Sequence, residues 1–115
     1  MKPELFNILN EPNDKLIAVD MDGTLCHGVW WGPEDKDPEP HMGMIELVWK
    51  LYRKGAHIVI YTARQPRYYS RTHAWLIKHE VPFHGITMCM KPGADLYLDD
   101  RAINIDDLVE TLEVI

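Results

Sequence analysis

Residues 15–25 read KLIAVDMDGTL, and the fold follows from how that stretch ends. Leu16, Ile17, Ala18 and Val19 form an unbroken apolar run. Such a run suits a strand buried on both faces of a parallel sheet. It stops on Asp20, and a second acid, Asp22, follows two residues later, before Gly23 and Thr24. A carboxylate at the carboxyl end of a buried strand lies where open α/β sheets bind ligands. Two acids this close repel each other, so the pair needs a cation, a proton or a phosphate-linked role to be tolerable.

The spacing makes chemical sense. Asp20 can act as a nucleophile, since aspartate forms aspartyl-phosphate intermediates. Asp22 can protonate a leaving oxygen and then activate water. Gly23 lets the backbone turn sharply, and a magnesium ion would quiet the carboxylate repulsion and shield an incoming phosphate.

Around this stretch the chain alternates strand and helix signals. Residues 42–54 carry Met44, Ile45, Val48, Leu51 and Tyr52 at helical spacing, with Gly55 at the end. Residues 56–61 form a second apolar strand. Residues 66–80 read as a helix that opens on Pro66 and draws its apolar surface from Ala74, Trp75, Leu76 and Ile77. Short strands are expected around 86–88 and 96–98, and a last helix around 105–112. This alternation predicts a three-layer, Rossmann-like α/β fold, a parallel sheet with flanking helices and right-handed crossovers. Residues 1–14 form an N-terminal extension, which packs as a helical turn or an extra edge. Residues 26–41, with Gly28, Gly32, Pro33, Pro38 and Pro40, read as loop.

The chain has 115 residues, the size of a single domain spanning 1–115. A formal net charge of -6 argues against a generally basic nucleic-acid footprint, though it leaves room for a local patch. Cys26 and Cys89 have no CxxC spacing and read as free thiols of a reducing compartment. No apolar stretch has signal-peptide length or approaches the roughly 18 residues of a spanning helix. A soluble, cytoplasmic protein is the expectation.

The run Asp20-Met21-Asp22-Gly23-Thr24 resembles motif I, DxDGT, of the haloacid dehalogenase superfamily. Three later positions extend the resemblance, which covers 15 to about 112. Thr62 ends the second strand, where the pattern places a Thr or Ser; its hydroxyl can bond a phosphate oxygen or cap the next helix. Lys91, in MKPGAD, stands where a lysine would neutralise the nucleophile and hold phosphate; the bland alternative is a solvated loop lysine. Asp99 and Asp100 follow a short strand as the last, acidic motif, otherwise readable as an acidic turn. The resemblance implies a magnesium-dependent phosphomonoesterase. Asp20 would attack, Asp22 would be acid and base, and Thr62 and Lys91 would hold the phosphoryl oxygens. Asp20, Asp22 (through its backbone carbonyl), Asp99 and Asp100 would hold the metal, with Gly23 and Thr24 beside the substrate. The acid at Asp22 separates the chain from the dehalogenases and the ion-pumping ATPases. A non-catalytic phosphate- or partner-binding module and a phosphotransferase are the alternatives.

Only a short segment follows motif I, so the resemblance is to members without a large cap domain. Such members tend to meet large substrates or to close their site by forming oligomers. The stretch TARQPRYYSRTHAWLIKHEVPFHGI, with YLDDRA, is similar to small phage-type phosphatases and more weakly to the phosphatase half of polynucleotide kinase/3′-phosphatases. Arg64 and Arg67 are candidates to grip a second anionic group of the substrate, and Arg71 reads as part of a solvated helix face. Trp30 and Trp31 are candidates for a substrate or subunit surface, Trp49 and Trp75 for core. The histidines lack zinc-ligand spacing and read as surface or packing residues.

Overall fold

The apolar run becomes β1, Leu16–Asp20, and its three central side chains are fully buried. It is covered on both sides because it lies between two parallel partners. In this computed structural model, which describes residues 3–99, β2 (His57–Thr62) and β4 (Leu96–Leu98) flank β1, and β3 (Gly85–Met88) lies beyond β2. The order is β3-β2-β1-β4, all parallel. The chain steps outward from β1 through β2 to β3, then returns to the other side of β1 for β4. The order therefore reverses at β1, and the carboxyl ends of β1 and β4 border the switch-point crevice where such sheets bind ligands. The expected small α/β architecture, without a large cap domain, is what the chain adopts.

Among the described residues, three α-helices flank the sheet. The first, α1, Pro3–Asn10, is helical and contributes Leu9, fully buried, to the core. Next is α2, Met42–Arg53, which buries Met44, Ile45, Leu47, Val48 and Leu51. His41 caps its start: the Nδ1 atom accepts a hydrogen bond from the Met44 N–H at 3.1 Å. Gly55 follows its end at φ 95°, a left-handed position. A Cβ there would collide with the Asn13 side chain. A 3₁₀ turn, Pro66–Tyr68, precedes α3, Tyr69–Lys78.

The details of α3 correct the sequence reading. Its buried side chains are Thr72, Trp75 and Leu76, while Ala74 is exposed and Ile77 is 56% exposed. Thr72, Trp75 and Leu76 stand at i, i+3 and i+4 and share one helix face, which four consecutive residues from 74 to 77 cannot do. Residues 26–41 hold no helix or strand among the described residues. Single bridges, Asp22 with Cys26 and Cys26 with Pro40, hold the loop to the motif. The helix expected at 105–112 lies outside the described residues. No helix among them is long and apolar enough to cross a membrane.

Candidate active site

The carboxyl ends of β1, β2 and β4 bring most of the expected residues to one edge. Asp20 ends β1 and Thr62 ends β2. Val19 pairs with Leu98, so the next register step sets Asp20 beside Asp99. After β1 the backbone turns at Gly23, φ 84°, which a side chain would strain. The N–H groups of Thr24, Leu25 and Cys26 all bond the Met21 carbonyl, at 3.2, 2.9 and 3.3 Å. This tight loop fixes Asp22 over the edge.

Asp22 is held by a two-bond fork. Arg64 Nη2 donates to its Oδ1 at 2.9 Å and Arg64 Nε to its Oδ2 at 3.1 Å. The Arg64 side chain is only 3% exposed. It stays buried because every face has a partner. Nη1 donates to Thr72 Oγ1 at 3.3 Å, and the guanidinium lies 4.6 Å over the Trp30 ring. The Arg64 N–H donates to Thr62 Oγ1 at 3.1 Å. That bond closes the turn after β2, since the helical turn begins only at Pro66; the hydroxyl keeps its own proton to donate. Arg64, expected at a substrate anion, thus faces Asp22 from within the protein.

On the other side of β1, Asp99 is 7% exposed and its Oδ2 accepts a hydrogen bond from the Tyr61 hydroxyl at 2.9 Å. Burial, then the bond to Asp99 and the charges of Asp99 and Asp20, push the Tyr61 phenol well above its usual range. It therefore stays a donor. Lys91 Nζ lies 3.9 Å from the same oxygen and 4.3 Å from the Tyr97 ring centroid, with its side chain 57% exposed. Asp20 Oδ1 accepts a hydrogen bond from the Met21 N–H at 2.9 Å. Asp100 lies outside the described residues, and Arg67 is exposed, stacked on Tyr68.

For a divalent cation the relevant donors are the carboxylates of Asp20 and Asp99 and the backbone carbonyl of Asp22. They are hard oxygens on neighbouring elements, and that donor chemistry fits magnesium. Among the described residues, no three His, Cys, Asp or Glu side chains gather as a metal-holding group. Two buried side-chain atoms at the site, Thr24 Oγ1 and Trp30 Nε1, have no protein partner among the described residues.

The loop tryptophans divide, contrary to their joint expectation. Trp30 is 5% exposed, sandwiched between Arg64 and Arg71 and edge-on to Tyr68. Trp31 is 84% exposed. Arg71 is not a solvated residue of the helix face: it bonds Asp37 Oδ1, the Pro33 carbonyl and the Asp35 carbonyl, each at 3.0 Å. Trp75 Nε1 adds a bond to the Pro38 carbonyl at 2.8 Å. These contacts strap the loop to α3. Sequence reasoning passed over Tyr61, Thr72 and the Arg64 fork. For Tyr61 a signal existed, a phenol at the end of β2 in register with Asp20.

Neither a protein-family model nor a curated protein matches the chain. Solved structures do. A structural-genomics target from Vibrio cholerae overlays with TM-score 0.60 at 30% identity, over 83% of this chain and 87% of that one. A conserved protein of Bacteroides thetaiotaomicron overlays with TM-score 0.66 at 19% identity, over 89% and 92% of the two chains, which speaks to the fold alone. With that identity over most of both lengths, the chain belongs to the same family as the Vibrio cholerae protein.

Proposed function

We propose that the chain is a magnesium-dependent phosphomonoesterase of the haloacid dehalogenase type, acting through an aspartyl-phosphate on Asp20. One observation carries this reading: Asp20 and Asp99 share the switch-point crevice of a parallel sheet, with Asp22 held over it on a tight glycine turn. An Asp20 oxygen attacks phosphorus as the bond to the leaving oxygen breaks, and Asp22 gives that oxygen a proton. Asp22 then takes a proton from water, whose oxygen attacks phosphorus and releases Asp20 and inorganic phosphate. Thr62 and Lys91 donate to the phosphoryl oxygens as charge redistributes, with Gly23 lining the approach and Thr24 buried beneath it. Asp20, Asp99, the Asp22 carbonyl and Asp100 would hold magnesium, which supplies charge neutralisation at the phosphoryl group. The substrate is a phosphate monoester, and an open site suits a large one. The exposed Trp31 would meet a second copy of the chain.

The test is phosphate release from sugar phosphates, nucleotides, polynucleotide ends and phosphoproteins, with magnesium and with EDTA, beside Asp20→Asn. Turnover that needs magnesium and is lost in the variant is expected. Turnover that persists in Asp20→Asn would overturn the aspartyl-phosphate route. Magnesium binding with no turnover on any class would favour a binding module.

A further inference from the structure

Beyond these roles, Asp22 poses a problem that the motif alone does not solve. A side chain that gives up a proton and takes it back must be held in one orientation, because a misplacement of about 1 Å can cost on the order of 10²-fold. Asp22 lies immediately before the turn at Gly23, and the backbone bonds of that turn do not fix its χ angles. The fork from Arg64 does: two bonds in one plane set both the position and the tilt of the carboxylate.

The fork engages both oxygens: Asp22 Oδ1 accepts from Arg64 Nη2 at 2.9 Å and Oδ2 from Arg64 Nε at 3.1 Å. Each carboxylate oxygen has two acceptor positions, so the fork leaves the carboxylate capacity to exchange a proton. The single proton of Cys26 lies nearer the Met21 carbonyl, at 3.4 Å, than Oδ1, at 3.7 Å. Arg64 in turn is fixed by Thr72 Oγ1, the Trp30 ring and the turn after Thr62.

We propose that Arg64 is the positioning residue of the acid–base carboxylate, Asp22. The proposal rests on the phosphatase reading above. In the first step the proton leaves the Asp22 carboxyl for the ester oxygen as the P–O bond breaks and the Asp20–phosphorus bond forms. In the second, a water proton returns to the Asp22 carboxylate as the water oxygen bonds phosphorus and the Asp20–phosphorus bond breaks. The loop carrying Trp30 thereby becomes part of the support of the site, in place of a cap domain.

Leaving-group dependence separates positioning from mere structural support. Phenyl phosphate needs a proton on its leaving oxygen far more than p-nitrophenyl phosphate does. We compare kcat/KM, which reads through formation of the aspartyl-phosphate, on these two esters. The proteins are the unaltered chain, Arg64→Lys, Asp22→Asn, the double variant and Thr72→Val, each checked by circular dichroism. Arg64→Lys keeps the charge and loses the fork. It should cost about 10²-fold on phenyl phosphate and a few-fold on p-nitrophenyl phosphate, and add nothing in the Asp22→Asn background. Thr72→Val, which frees one edge of the guanidinium, should lose about threefold on phenyl phosphate alone; it carries the test if Arg64→Lys does not fold. Equal losses on both esters, or losses that multiply in the double variant, would make Arg64 a structural ion pair and overturn the proposal. If the unaltered chain releases phosphate from neither ester and from none of the four substrate classes above, or Asp20→Asn keeps full activity, the phosphatase reading fails and takes the proposal with it.

Discussion

The two flanks of β1 carry similar charges built to different tolerances. Toward β2, Asp22 meets Arg64 in two bonds of 2.9 and 3.1 Å, with side chains 15% and 3% exposed. Toward β4, Asp99 meets Lys91 at 3.9 Å, with side chains 10% and 57% exposed. The first pair is a two-bond fork whose guanidinium is out of water, so its geometry is fixed. The second pairs a buried acid with a largely exposed ammonium at longer range. On the phosphatase reading proposed above, the fork would hold the proton-transferring carboxylate still, and the exposed ammonium would answer to changing charge.

The largest test of that contrast is thermodynamic. Arg64→Leu removes one partner of a mostly buried pair and leaves Asp22 beside an apolar side chain. We expect a loss of about 3 kcal/mol, at the low end for broken buried pairs because water still reaches Asp22. Lys91→Ala should cost less than about 0.5 kcal/mol, since its ammonium is largely solvated. Urea midpoints for the two variants decide it. Equal losses would erase the distinction between the flanks.

A second contrast lies within two adjacent residues. Trp30 is packed between two guanidinium groups, whereas Trp31 is 84% exposed. Trp30→Ala should cost about 3 kcal/mol, through lost packing and two lost cation–π contacts. Trp31→Ala should leave the urea midpoint within about 0.5 kcal/mol. Light scattering sharpens the point: if the exposed indole meets a second copy, Trp31→Ala alone lowers the mass. A monomer mass for the unaltered chain at working concentration would refute self-association.

The sequence made the sheet legible and the support of the site much less so. A continuous apolar run ending in acid can satisfy few environments, so β1 and the carboxylate at its end could be read directly from 15–25. Local patterns also located β2 and β4 to within a residue, because buried strands tolerate little else. The Arg64 fork could not be read this way. It joins residues 42 positions apart, and an arginine after a strand reads equally well as a ligand for substrate. Trp30 and Trp31 are identical in type and adjacent in a loop without period, so only tertiary contact distinguishes them. Arg71 was misread for the same reason: its partners are two carbonyls and one carboxylate of a distant loop. Helical spacing cannot see such partners.

The smallest effect concerns Tyr61, which joins the two flanks through β2. Its hydroxyl donates to Asp99 at 2.9 Å, and its pKa in the folded chain lies above the ordinary phenol value of about 10. Between those two values the folded state binds a proton that the unfolded state has released. Stability from this group is therefore complete below about pH 10 and declines as pH rises above it. Tyr61→Phe removes the group and should flatten that decline, at the cost of about 2 kcal/mol at neutral pH for the lost bond to a charged acceptor. Urea midpoints for both proteins at pH 7 and pH 10.5 measure the difference. If both fall by the same amount, the phenol is not linked to Asp99, and the β4 flank is looser still than the distances imply. A smaller fall in the variant would mean that Asp99 is held from β2 by a bond that does not yield when Lys91 moves. The ammonium would then be left as the adjustable charge of the edge.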